Sequence, residues 1–144
     1  MKRVILFTIF LLVGLNSAAL AERLAVAVPE ANIRSGPGIK YDKIWKVGKY
    51  HPLNIIKKEG VWYGFRDFEG DEGWIHKKLL KKISTVITKN NDISNVRIGP
   101  GLKNDIVFTV EKGVPFKVLE RRGAWVRILH ADGDKGWIHK KLVW

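Results

Sequence analysis

The 144-residue sequence predicts an all-β protein, two small β-barrels in tandem behind an N-terminal signal peptide. Three observations carry this expectation. Asn32-Ile-Arg-Ser-Gly-Pro-Gly38 returns as Asn95-Val-Arg-Ile-Gly-Pro-Gly101, and the later anchors recur at the same offset of 63 positions. The apolar runs are short and broken by glycine, proline and acidic turn residues, with no stretch of helical period long enough to compete. The chain opens with Lys2-Arg3, continues through an apolar run from Val4 to Leu15, and reaches small residues at Ala19 and Ala21.

Residues 1–21 read as the signal peptide, cut after Ala21. A membrane anchor is the competing reading, but spanning takes about 20 apolar residues, and Asn16 and Ser17 interrupt a shorter run. Cleavage would export the chain to the periplasm or beyond, with no transmembrane segment in the mature protein. The first unit covers 22–82. Strands are expected near Leu24–Val28, Asn32–Arg34, Ile44–Lys46, Leu53–Lys57, Val61–Arg66 and Gly73–His76, with Lys77–Leu80 as a single helical turn. Ser35–Gly38, Glu59-Gly60 and Glu69–Asp71 are the breakers between them. A connector, Lys81–Ser84, leads into the second unit, 85–144. There Val110, Pro115, Gly123, Trp125 and Asp134 repeat Val47, Pro52, Gly60, Trp62 and Asp71, and Gly73–Leu79 returns unchanged as Gly136–Leu142. Five or six short strands in about 60 residues bury one core only by curling into a barrel, which also removes exposed edges.

Composition narrows the function classes. Lysine and arginine total 26 against 14 acidic residues, a formal charge of +12 that falls to +10 without Lys2 and Arg3. Such a field favours anionic surfaces without selecting one. The absence of cysteine excludes disulfides, thiolate metal sites and a cysteine nucleophile. The four histidines, His51, His76, His130 and His139, show no metal-ligand spacing. Asp67, Glu69, Asp71 and Glu72 cluster only at a hairpin tip. Neither a catalytic residue, a metal nor a cofactor is expected.

Strand alternation then sorts the side chains. Val126 and Ile128 point inward, leaving Trp125 with Arg127 outside; Tyr63 and Phe65 point inward, leaving Trp62 with Arg66 outside. Ile75 is inward, so Trp74 and His76 face out, as do Trp137 and His139. Tyr41 follows the first glycine-rich loop and adds an aromatic there, whereas its counterpart is Asn104. Trp45 and Phe108 alternate with Val47 and Val110 and are expected in the cores. These outward tryptophans, the arginines, Tyr41 and the two histidines form the candidate ligand-binding set, since an indole beside an arginine stacks on peptide or sugar faces. The motif residues Asn32, Arg34, Gly36 and Pro37, with Asn95, Arg97, Gly99 and Pro100, are read as loop-building: glycine permits positive φ, proline fixes its own, and Asn32 and Arg34 hydrogen-bond the loop to the barrel.

Asn-x-Arg-x-Gly-Pro, a Gly-x-Trp strand and a terminal Gly-Trp-Ile, in that order and twice over, resemble the bacterial SH3 (SH3b) domain. The resemblance covers essentially the whole mature chain and implies two SH3-like barrels. It weakens toward the proline-peptide-binding SH3 domains, because His76 and Leu79 stand where their motif has proline and tyrosine. The leading expectation is a non-enzymatic cell-envelope protein whose tandem domains recognise peptidoglycan through its stem or cross-bridge peptides. The alternative is a periplasmic protein–protein interaction adaptor. Lysine pairs such as Lys77-Lys78, Lys81-Lys82 and Lys140-Lys141 offer a third, electrostatic reading, and export argues against nucleic acid as the partner.

Overall fold

The computed structural model describes residues 22–144; the expected signal peptide lies outside them. Seven strands build the first unit: β1 (Glu22–Val26), β2 (Glu30–Arg34), β3 (Lys43–Gly48), β4 (Pro52–Glu59), β5 (Trp62–Arg66), β6 (Glu72–His76) and β7 (Leu80–Lys81). A 3-10 turn, η1 (Lys77–Leu79), precedes β7. The sheet order is β3-β2-β6-β5-β4-β1-β7. All seven strands send side chains into one cluster that includes Leu24, Ile33, Val47, Leu53, Phe65, Ile75 and Leu80, so the sheet is wrapped around its own inner face.

The second unit repeats the plan with β8 (Thr85–Ile87), β9 (Ser94–Arg97), β10 (Ile106–Val110), β11 (Pro115–Arg122), β12 (Trp125–Leu129), β13 (Lys135–His139) and η2 (Lys140–Leu142), in the order β10-β9-β13-β12-β11-β8. A single bridge, Thr88 to Val143, stands where the first unit has β7. Its core is separate and gathers Val86, Val96, Phe116, Val126, Ile128 and Ile138. In both units the long strand carries a register shift, between Ile55 and Lys57 and between Val118 and Glu120. Such a bulge bends a strand enough for it to serve both halves of a barrel.

The repeated glycine of Gly-Trp-Ile has a packing origin. A Cβ on Gly73 would fall on the Ile33 side chain and press on Phe65 and Trp45, and one on Gly136 would fall on Val96. The turn after β3 shows a difference between the copies: Tyr50 holds a φ of 72°, where the second unit has Gly113 at 84°. A side chain in that left-handed region costs about 1 kcal/mol, offset here by burying the ring.

Candidate functional site

Each barrel builds the same face from three strands. Trp62 on β5 and His76 on β6 are cross-strand partners, with ring centroids 5.2 Å apart in an edge-on arrangement. Trp125 and His139 repeat this at 5.3 Å. Arg34 on β2 lies beside the first pair, its guanidinium carbon 6.0 Å from the Trp62 ring. Its Nη1 donates to the carbonyls of Ile39 (3.1 Å) and Tyr41 (3.0 Å), and Arg97 donates likewise to Leu102 (3.2 Å) and Asn104 (2.9 Å). These arginines therefore brace the glycine-rich loops from inside. Asn32 and Asn95 make no side-chain hydrogen bond to the loops among the described residues, so that part of the expectation is replaced by a single arginine brace in each copy.

The histidines are fixed by the backbone. His76 Nδ1 accepts from the Lys78 N–H at 3.1 Å, and His139 Nδ1 from the Lys141 N–H at 3.2 Å, each capping its 3-10 turn. An accepting Nδ1 places the proton of the neutral ring on Nε2. Desolvation, then the charges of Lys78 and Lys77, lowers the His76 pKa and favours that neutral form.

The remaining expected site residues divide. The Tyr41 ring packs flat on Gly36, where an added Cβ would strike it, and Asn104 covers Gly99 in the same way; both side chains shape their loops. Arg66 is held by Glu72 at 2.6 Å, whereas Arg127 is exposed and unpaired among the described residues. Trp74 is half-buried and lies across Gly64. Trp137 departs from the expectation: it is only 6% exposed, with the Arg122 guanidinium over its ring at 5.1 Å. Glu59 holds the position of Arg122 in the first unit, so the second barrel gained a cation that roofs the indole. Trp137 offers no open stacking face. The acidic hairpin tip is internally engaged, since Asp67 is 9% exposed and accepts the N–H groups of Glu69 and Asp71, both at 2.9 Å. Trp45 and Phe108 pack partly buried against their cores.

Two features escaped the sequence reading. Ile39 and Leu102, equivalent positions at the tips of the two loops, are 80% and 76% exposed. Their signal was present: an apolar residue recurs inside an otherwise glycine, proline and lysine loop. The second is a cleft of about 700 Å³ between the barrels, lined by Trp45, Lys49, His51 and Phe68 from one side and by Pro115 and His130 from the other. These residues are scattered along the chain, and only the docking of the two units gathers them. His51 lies edge-on to Phe68 with centroids 6.2 Å apart, and its Nε2 is buried without a partner. Burial pushes the His51 pKa down to about 4, against a smaller opposing pull from Glu69.

This shift predicts an acid-sensitive fold. The folded state refuses a proton that the unfolded chain accepts below its ordinary pKa of about 6.5, so the His51 contribution is complete above that pH. It is lost as the pH falls from there to about 4, by roughly 3 kcal/mol at the limit. Val114 occupies the matching position of the second unit. His51→Val is expected to flatten the pH dependence of urea unfolding across this window; an unchanged slope would show that His51 is not its source.

Two small wrapped β-barrels with a duplicated tryptophan face define a tandem module of SH3-like architecture. Residues 27–82 and 90–144 each match the family model described as Bacterial SH3 domain. The chain belongs to that family. It is 27% identical over 150 residues to "Putative N-acetylmuramoyl-L-alanine amidase YrvJ" of Bacillus subtilis, covering 96% of this chain and 29% of that protein. It is 36% identical over 53 residues to "Probable cell wall amidase LytH" of Staphylococcus epidermidis, covering 36% of this chain and 17% of that one. The chain thus spans less than a third of these relatives. Among solved structures, an NlpC/P60 family protein from Bacillus cereus shares 16% identity over 85% of this chain and 56% of its own, with a TM-score of 0.39. NlpC1 from Trichomonas vaginalis also shares 16%, over 85% and 45%, with a TM-score of 0.37.

Proposed function

We propose that this protein is exported and binds the cell envelope without catalysing a reaction, its two SH3b domains recognising peptidoglycan through stem or cross-bridge peptides. The observation that carries this reading is the paired exposure of Ile39 and Leu102 on loops braced by Arg34 and Arg97, the first of these arginines lying beside Trp62. Large apolar side chains held in water at equivalent positions of two braced loops give a ligand with methyl groups and flat amides a contact in each barrel. The stretch shared with the cell-wall amidases is the SH3-bearing one. His76 and His139 cap turns, Asp67 closes a hairpin and Glu72 pairs with Arg66, engagements that suit structural roles better than proton transfer. Two weak sites on one chain raise apparent affinity through effective concentration.

Titration with a soluble peptidoglycan stem peptide, followed by the indole N–H resonances, tests the reading. Trp62 and Trp125 are expected to shift, and Ile39→Ser with Leu102→Ser to weaken binding about tenfold without lowering the melting temperature, since neither side chain is buried. Silent indoles, or loop variants that bind as tightly as the parent, would count against it. Incubation with whole peptidoglycan is expected to release no soluble fragments; release would identify an enzyme.

A further inference from the structure

A second inter-barrel cleft, of about 430 Å³, has a different character from the tryptophan faces. It is lined by Arg23 and Lys82 from the first unit and the connector, and by Thr85, Arg121, Lys140 and Trp144 from the second. Four cations line it and no acidic side chain does. The neighbouring carboxylates are engaged elsewhere, Glu22 with Lys58 at 2.9 Å and Glu120 with Arg122 at 2.6 Å. None of the four cations makes an ion pair with an acidic side chain among the described residues.

Arg23 is the fixed element. Its Nη2 donates to the main-chain oxygen of Trp144, a carboxylate oxygen at the end of the 144-residue chain, at 2.8 Å and to the Thr85 carbonyl at 3.3 Å, and its guanidinium lies 4.0 Å above the Trp144 ring. Burial, and then the charge of Arg121, lowers its pKa. Arg23 is answered by the one carboxylate of Trp144, while Lys82, Arg121 and Lys140 bring three further positive charges to the same cleft, a crowding of like charge that costs free energy unless a further anion answers it. Thr85 is 4% exposed and its hydroxyl has no hydrogen-bond partner.

We propose that this cleft is an anion seat for a phosphate group, closed by Arg23 and Lys82 from one side and by Arg121 and Lys140 from the other. Phosphate is favoured over a single carboxylate because four cations call for more than one negative charge, and because a guanidinium fork and ammonium donors suit several oxygens at once. The ligand would tie the two barrels together, since each contributes half of the donors. Phosphate binding is thus expected to raise the melting temperature as well as to saturate the seat.

The test is a titration with inorganic phosphate at constant ionic strength, with chloride as the control, reading the Trp144 indole and Arg23 guanidinium N–H signals. Phosphate is expected to give saturable shifts at these two residues and chloride none. The pair Arg121→Gln and Lys82→Gln alters exposed side chains and is expected to raise the dissociation constant at least tenfold without lowering the phosphate-free melting temperature. Equal shifts with chloride, shifts spread over Lys77 and Lys78, or a variant that titrates like the parent would each overturn the proposal. Flotation with phosphatidylglycerol vesicles, against neutral ones, separates the sources. Flotation lost in the variant assigns the phosphate to a lipid head group, and a phosphate titration without flotation assigns it to a soluble or polymer-borne one.

Discussion

Alanine at Gly73 is expected to melt the first barrel more than 10 °C below the parent while the second barrel keeps its own transition. The new methyl has nowhere to go: it would fall on Ile33 and meet Phe65 and Trp45, and the first two are among the most buried residues of the core. Overpacking of this kind costs about 1–3 kcal/mol, and each kcal/mol moves the midpoint of a domain this small by roughly 4–8 °C. Gly60→Ala is the comparison, because Gly60 has open space around its Cβ position and only its φ of 58° resists the change. That backbone penalty is about 1 kcal/mol, so Gly73→Ala should be clearly the worse of the two in thermal unfolding. Equal effects would mean that conformation, and not packing, keeps glycine in the repeated Gly-Trp-Ile.

The second large effect is on binding. Replacing both Trp62 and Trp125 by alanine is expected to weaken attachment to peptidoglycan at least tenfold, and more than either single change, because each barrel loses its proposed stacking surface and avidity multiplies the loss. Both indoles are half-buried against a histidine and outside the core clusters. Circular dichroism should therefore report two folded domains in the double variant. A single change that abolishes binding while its twin does nothing would assign the ligand to one barrel alone.

The duplication made most of the fold legible, because a strand or breaker in one copy could be checked against the other. Strands β2 to β6 fall within about two residues of their expected positions, and the helical turn expected over Lys77–Leu80 is the 3-10 turn Lys77–Leu79. The inward residues Phe65, Ile75, Val126, Ile128 and Ile138 are buried as alternation requires. The sites were less legible, for physical reasons. Trp74 and Trp137 occupy identical local sequence, yet only Trp137 is roofed, by Arg122 reaching over from β11, two strands away in the sheet. Tyr41 reads as a free aromatic until its ring is seen to fill the space over Gly36. Both inter-barrel clefts gather residues from distant parts of the chain, His51 with His130 and Arg23 with Arg121. No local pattern encodes such a meeting; it follows from how the units dock.

Co-sedimentation with purified peptidoglycan across a salt series, with the parent protein beside the Trp62→Ala, Trp125→Ala variant, tests the central claim most directly. At about 0.5 M salt, surface charges are screened beyond roughly 4 Å, while stacking on an indole persists. The parent is expected to remain in the pellet at that salt and the double variant to stay in the supernatant. Parent protein that leaves the pellet as salt rises, in step with a variant that behaves identically, would show that the basic surface alone holds the wall, and would contradict recognition by the tandem SH3b faces.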